Sequence, residues 1–169
     1  MRHTPADLDA LQALLDRSHA SAGRHLRATF ELPEHALSAR QLARYLEQDH
    51  VFVVLATTTS HSEPRVAPVD SVFAGGHFHI PTVADAARVR HVRHRPGVSL
   101  THFVPNEVAI IVHGAATVIE ADEPDFAPLD ACYTADWWRS VRAEGNGAFL
   151  RIVPHACYTW ARDPAAFPS

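Results

Sequence analysis

Cysteine is scarce in this chain. Only Cys132 and Cys157 occur among 169 residues, and neither sits in a CxxC pair. Two thiols do not make a disulfide framework, so both are expected to be small buried hydrophobes, reduced and unlinked. Long apolar runs are missing as well. The longest, Val51 to Ala56, is far too short to cross a bilayer. The first residues, Met1 to Asp7, lack the apolar centre of a secretory signal. These absences predict a cytoplasmic protein with no membrane partner. Excess positive charge is lacking too. The formal net charge is -4, without the basic footprint that nucleic-acid binding leaves. There is no internal repeat, low-complexity tract or linker. With 47% apolar residues the chain reads as one domain, 1–169, long enough to bury a core.

Histidine, by contrast, is in surplus, with 13 residues. His77 and His79 lie two apart in a predicted strand and so share a face. A metal site needs a third ligand and a dry setting, and the sequence supplies neither an HExxH segment nor a cysteine partner. The pair therefore reads as half-exposed strand residues, and no metal is expected.

Helical signals cluster in the N-terminal part. Thr4-Pro5-Ala6-Asp7 offers a hydroxyl cap, a proline in the first turn and an acid suited to the helix dipole. Leu8, Leu11, Leu14 and Leu15 then form a helical stripe fading near Gly23. Phe30 to Ala36 reads as a connection. Ser38-Ala39-Arg40-Gln41 is a capping-box pattern for a second helix to about Gln48, with Leu42, Tyr45 and Leu46 inward.

From residue 50 the pattern changes. His50 to Thr58 is a β-branched, apolar run that predicts a buried strand. Strands follow at Arg65 to Phe73 and His77 to Pro81, joined through Gly75-Gly76, whose freedom at positive φ suits a tight hairpin. Ala84 to His94 is expected to be a short helix. Val98 to Phe103 and Val108 to Glu120 read as further strands, with Gly114 marking a bulge or a close backbone contact. Asp122 to Ala143 has helical character, with Phe126, Leu129, Ala131, Cys132 and Tyr133 inward. Gly145-Asn146-Gly147 ends it, and Ala148 to Val153 and Ala156 to Trp160 close the set, before a loose tail from Asp163 to Ser169. Strands separated by tight turns, with few helices, suggest a closed barrel. The expected architecture is mainly β with flanking helices (α+β). It has an N-terminal helical extension at 1–48 and a barrel of about six to seven antiparallel strands at 50–162.

Arg65 to Pro96 is the most informative stretch. Thr82 ends a strand, and Arg88, Arg90, Arg93 and Arg95 follow before Pro96. Arginines just past a strand end are a plausible cradle for phosphate. This order of hairpin, threonine-ended strand, basic segment, proline, two strands, helix and closing strands resembles the pyridoxamine 5'-phosphate oxidase-like family of FMN- or deazaflavin-binding split β-barrels. The resemblance covers roughly His50 to Trp160.

The resemblance implies that Arg65, Thr82 and Arg88 hold a cofactor phosphate, with Arg88 in the place of the family's lysine. It also implies that Val66, Pro68 and Val69 lie along the cofactor, their backbone holding the ring edge. Pro68 and Val69 read equally well as ordinary strand residues, and Thr82 as a helix cap. Arg90, Arg93 and Arg95 read as the solvated face of a short helix. Three positions depart from the FMN oxidases. Ala86 and Ala87 stand where serine and arginine are frequent, and Asp70 stands where pyridoxamine phosphate oxidases carry lysine. An aspartate near the phosphate would repel it. The segment from Ala87 to Pro96 is closer to the deazaflavin-using branch.

The implied function is a flavin-type oxidoreductase acting on a small-molecule substrate, using FMN or a deazaflavin coenzyme, and not a true pyridoxamine phosphate oxidase. No catalytic acid or base is identifiable. The family's site lies between the subunits of a homodimer, so a second chain is expected to complete it. Trp160 and Arg151, on the closing strands, are candidates for that contribution. Trp137 and Trp138 are further candidates for a substrate or dimer surface, or for core packing. Two alternatives stay open: a non-catalytic haem or tetrapyrrole binder, and a dimeric scaffold that has lost its cofactor.

Overall fold

A computed structural model describes residues 3–47 and 51–168. The helix end expected at Gln48, the strand start expected at His50 and the chain ends at Met1, Arg2 and Ser169 lie outside the described residues. Six antiparallel strands close into a barrel in the order β1-β2-β3-β6-β5-β4. They are β1 Val51–Thr58, β2 Pro64–Ala74, β3 His77–Val83, β4 Gly97–Val104, β5 Val108–Ile119 and β6 Gly147–Ala161. Gly75 and Gly76 turn the β2–β3 hairpin at φ of 58° and 73°.

The two closing strands expected from the sequence are one continuous strand, β6. Pro154 sits opposite Gly114 at a shift in the β5–β6 register. A Cβ on Gly114 would collide with the Val153 carbonyl oxygen. The bulge lets the strand pass the proline by bending rather than ending. β1 is also less buried than its apolar run predicted. Val51, Val53, Leu55 and Thr57 point into the barrel, while Phe52 is 63% exposed on the outside. A barrel strand has an outer face, and Phe52 lies on it.

The helices follow their local signals closely at the N-terminus. α1 (Pro5–Ser21) is capped by Thr4, with the reciprocal bond from Asp7, and buries Leu11, Leu14 and Leu15. α2 (Arg24–Thr29) was not foreseen. α3 (Ala39–Tyr45) has the full Ser38–Gln41 capping box. α4 (Ala87–His94) starts three residues later than expected and buries Val89 and Val92. The single helix expected over 122–143 is two, α5 (Phe126–Asp130) and α6 (Asp136–Ala143), and Ala131 is exposed rather than inward. The break at 131–135 lets Phe126, Leu129, Tyr133 and Trp138 meet Val72, Ile119 and Phe149 in one cluster on the outside of the barrel. The main core fills the barrel and extends under α1, α3 and α4.

Cys157 lies in that core, where burial pushes its thiol up to about 12, and neither cysteine is bonded to another. Among the described residues no helix is long and apolar enough to cross a membrane.

One feature of the barrel positions the site. β2 pairs with β1 over Pro64–Ser71 but with β3 only over Val72–Ala74. The far half of β3, Ile80–Val83, pairs with β6 alone. The first half of β2 therefore has an open backbone edge, and α4, which follows β3, lies beside the gap.

Candidate functional site

The opening beside β2 is a cleft of about 370 Å³. Leu55 and Thr57 of β1, Thr59 beyond it, Arg65, Val66 and Ala67 of β2, and Ala86, Ala87, Arg88 and His91 at α4 line it. Two guanidinium groups thus reach one concavity from different elements. α4 can supply Arg88 because its opposite side is anchored: Val89 and Val92 are buried in the core, which fixes the helix rotation. Arg88 is half-buried, and burial draws its guanidinium below its ordinary value. It donates weakly to the Thr82 hydroxyl, at 3.4 Å. Arg65 is more exposed and pairs with Glu63 at the cleft mouth, at 2.6 Å. Ala86 and Ala87 have small side chains and leave space in this wall.

The remaining expected residues distribute unevenly. Thr82 is buried and touches the cleft only through Arg88. Val66 lines the cleft and is 65% exposed. Pro68 faces outward and Val69 points into the core, so the contribution available from Val69 is its backbone on the open β2 edge. Trp160 is not a lining residue. It pairs across from Ala109 and stacks on His35 with ring centroids 6.2 Å apart. Arg151 is engaged by Asp125 at 2.7 Å and by His79. Arg90 and Arg93 point to solvent, Arg93 in an ion pair with Glu120.

Asp70 does not act as expected. It lies five residues along β2 from Arg65, roughly 16 Å of extended chain, and is absent from the cleft wall. Its carboxylate accepts hydrogen bonds from the Tyr133 hydroxyl and, at 3.4 Å, from the Trp137 indole. The Tyr133 hydroxyl is held well above the usual phenol range, first by burial and then by this carboxylate. Asp70 is thus directed at α6 and its neighbourhood and not into the cleft. Trp138 is buried and donates to Asp130 at 2.7 Å, whereas Trp137 is 42% exposed.

Sequence reasoning missed His91 and Thr57. The Thr57 hydroxyl and His91 Nδ1 are 2.9 Å apart. The only local clue was the spacing of Arg88 and His91, three apart on a helix and hence on one side of it. His77 and His79 do share a strand, with rings 6.3 Å apart, but His79 is 3% exposed. Among the described residues no three histidine, cysteine or acidic side chains come together as a metal site would need.

The sequence family described as pyridoxamine 5'-phosphate oxidase matches residues 39–161. No curated protein matches the chain. Solved structures share the fold at low identity. A conserved hypothetical protein from Mycobacterium tuberculosis is 16% identical, with a TM-score of 0.60, over 81% of this chain and 92% of that one. HutZ, the haem storage protein of Vibrio cholerae, is 15% identical with a TM-score of 0.56, over 69% and 89%. A pyridoxamine 5'-phosphate oxidase-related, FMN-binding protein from Nostoc punctiforme is 16% identical with a TM-score of 0.52, over 72% and 81%. At these identities the likeness is one of fold.

Proposed function

We propose, for a chain that belongs to the pyridoxamine 5'-phosphate oxidase family, that the cleft between β2 and α4 receives the phosphate end of FMN or a deazaflavin coenzyme, and that the protein is an oxidoreductase. The observation that carries this reading is the approach of Arg65 and Arg88 to one concavity at the open edge of β2. Guanidinium groups bind phosphate oxygens by charge-assisted, often paired, hydrogen bonds. The chain has no lysine, so arginine and histidine are its only cationic side chains for the purpose.

Arg88 is the main phosphate ligand of the proposal, because its partial burial strengthens a charge pair and Val89 and Val92 fix its helix. Arg65 exchanges Glu63 for the phosphate or shares both. The open backbone of β2 near Pro68 and Val69 offers hydrogen-bonding groups to the edge of a flat ring. The bound coenzyme would supply hydride or electron transfer, while this chain binds, orients and shields it. Asp70, fixed by Tyr133 and Trp137, leaves no cation in the place of the lysine of pyridoxamine phosphate oxidases, which supports a different substrate.

A homodimer completes the reading. Phe52, Val66 and Phe103 are 63%, 65% and 55% exposed on the adjoining outer faces of β1, β2 and β4. Exposed apolar residues grouped on a sheet face in this way suit a second copy. Trp160 and Arg151, which do not line the cleft of their own chain, are the candidates to approach the partner's. The test is an absorption spectrum of the purified protein, with mass spectrometry of whatever small molecule accompanies it. A flavin or deazaflavin band is expected. A Soret band would overturn the reading in favour of a haem binder.

A further inference from the structure

We infer that His91, positioned by Thr57, is a third ligand of the anion in this cleft, and that the cleft is built for a terminal phosphate monoester. The inference rests on the cofactor reading above and narrows it to FMN. Thr57 engages Nδ1 of His91, and Nε2 has no hydrogen-bond partner among the described residues, although the ring lines the cleft beside Arg88 and opposite Arg65. Thr57 is buried, with its backbone fixed in β1, so it sets the ring's orientation. When the Thr57 hydroxyl donates to Nδ1, the imidazole carries its proton on Nε2 and presents it to the cleft as a donor.

Three donors, from β2 and from two turns of α4, match the three terminal oxygens of a monoester. A diester has only two free oxygens. The charges agree. Arg65 is offset by Glu63 at the mouth, while Arg88 has no acidic partner among the described residues and leaves a net positive charge facing the anion. The other charged groups nearby are directed elsewhere. Arg95 donates to the Ser60 carbonyl, Arg90 to the Asp85 carbonyl, and His94 bonds to the Arg90 carbonyl. His61 is exposed on the 59–63 turn, and Asp85 is exposed ahead of α4 with Asn146 at its carboxylate.

The test compares riboflavin, FMN and FAD, which share one ring and differ in having no phosphate, a monoester or a pyrophosphate diester, with a deazaflavin coenzyme alongside. Each is titrated by fluorescence into the unmodified protein, His91→Gln and Thr57→Val. Native-like thermal melting of His91→Gln, a partly exposed site, confirms folding. FMN should bind about tenfold or more tighter than riboflavin or FAD. His91→Gln should cost FMN about fivefold and leave riboflavin unchanged. Thr57→Val should weaken FMN in the same direction. Equal FMN affinity for the unmodified protein and His91→Gln overturns this inference alone. So does tighter binding of FAD than FMN, or binding of the deazaflavin coenzyme without FMN. Binding of none of these ligands overturns the cofactor reading with it.

Discussion

Arg88 and Arg93 are five residues apart on the same helix, yet only Arg88 lines the cleft. Arg93 is committed to Glu120 at the surface. Arg88→Ala should weaken FMN or deazaflavin binding by roughly 1.5–3 kcal/mol, the usual worth of a hydrogen bond to a charged group, or about ten- to a hundredfold. Arg93→Ala should change it little. Parallel ligand titrations of the two variants measure the contrast, and equal losses would reveal only a diffuse positive field. His79 makes a different prediction. Its pKa is lowered to about 3, mainly by burial and then by Arg151 and His77. The unfolded chain therefore binds a proton that the folded chain refuses. The stability held above the ordinary value of 6.5 should be lost progressively as pH falls from there toward about 3. Denaturation of the protein and of His79→Gln across that range should show the shallower acid loss in the variant.

At the scale of elements, short local codes govern where helices begin. Ser38 accepts from the Gln41 backbone amide at 3.3 Å, and the Gln41 side chain accepts in return from the Ser38 amide at 2.9 Å. Gln41 also donates to the Pro164 carbonyl at 2.8 Å, tying α3 to the C-terminal segment. Ser38→Ala should therefore cost about 1 kcal/mol of stability, the typical worth of an N-cap, read as a lower denaturation midpoint at unchanged slope. Long-range contacts govern where other elements stop. The pattern over 122–143 is helical throughout, but Tyr133 is drawn to Asp70, 63 residues away, and Trp138 to the Phe126 and Phe149 rings. One uninterrupted helix is replaced by two that satisfy both.

At the scale of the molecule, the two sides of the barrel wall differ. α5 and α6 cover the outside near Val72 and Phe149, whereas Phe52, Val66 and Phe103 are exposed large apolar residues on the outer face. The protein should be a homodimer through that second face. Light scattering at micromolar concentration should give twice the mass of 18.6 kDa. Phe52→Glu together with Phe103→Glu should shift it toward the monomer and reduce cofactor binding together with dimerisation. A stable unmodified monomer would count against a shared site.

Much of the fold was legible because its signals are local. The two capping boxes, the Gly75-Gly76 hairpin, the β-branched run from Val51 and the arginine segment before Pro96 each act within a few residues of chain. The same segment drew attention to Arg65 and Arg88, which the structure places in one cleft. What the tertiary structure alone decided depends on residues far apart. It joined β6 through Pro154 by placing Gly114 opposite. It opened the barrel beside β2, since strand pairing is settled by the partner and not by the strand. It held Asp70 away from the cleft by binding it to Tyr133. It brought His91 to Thr57, 34 residues apart in sequence and 2.9 Å apart in space. Pattern and spacing set which elements form. Which side chains share a cavity follows only when those elements pack, because that packing is fixed by the whole core at once.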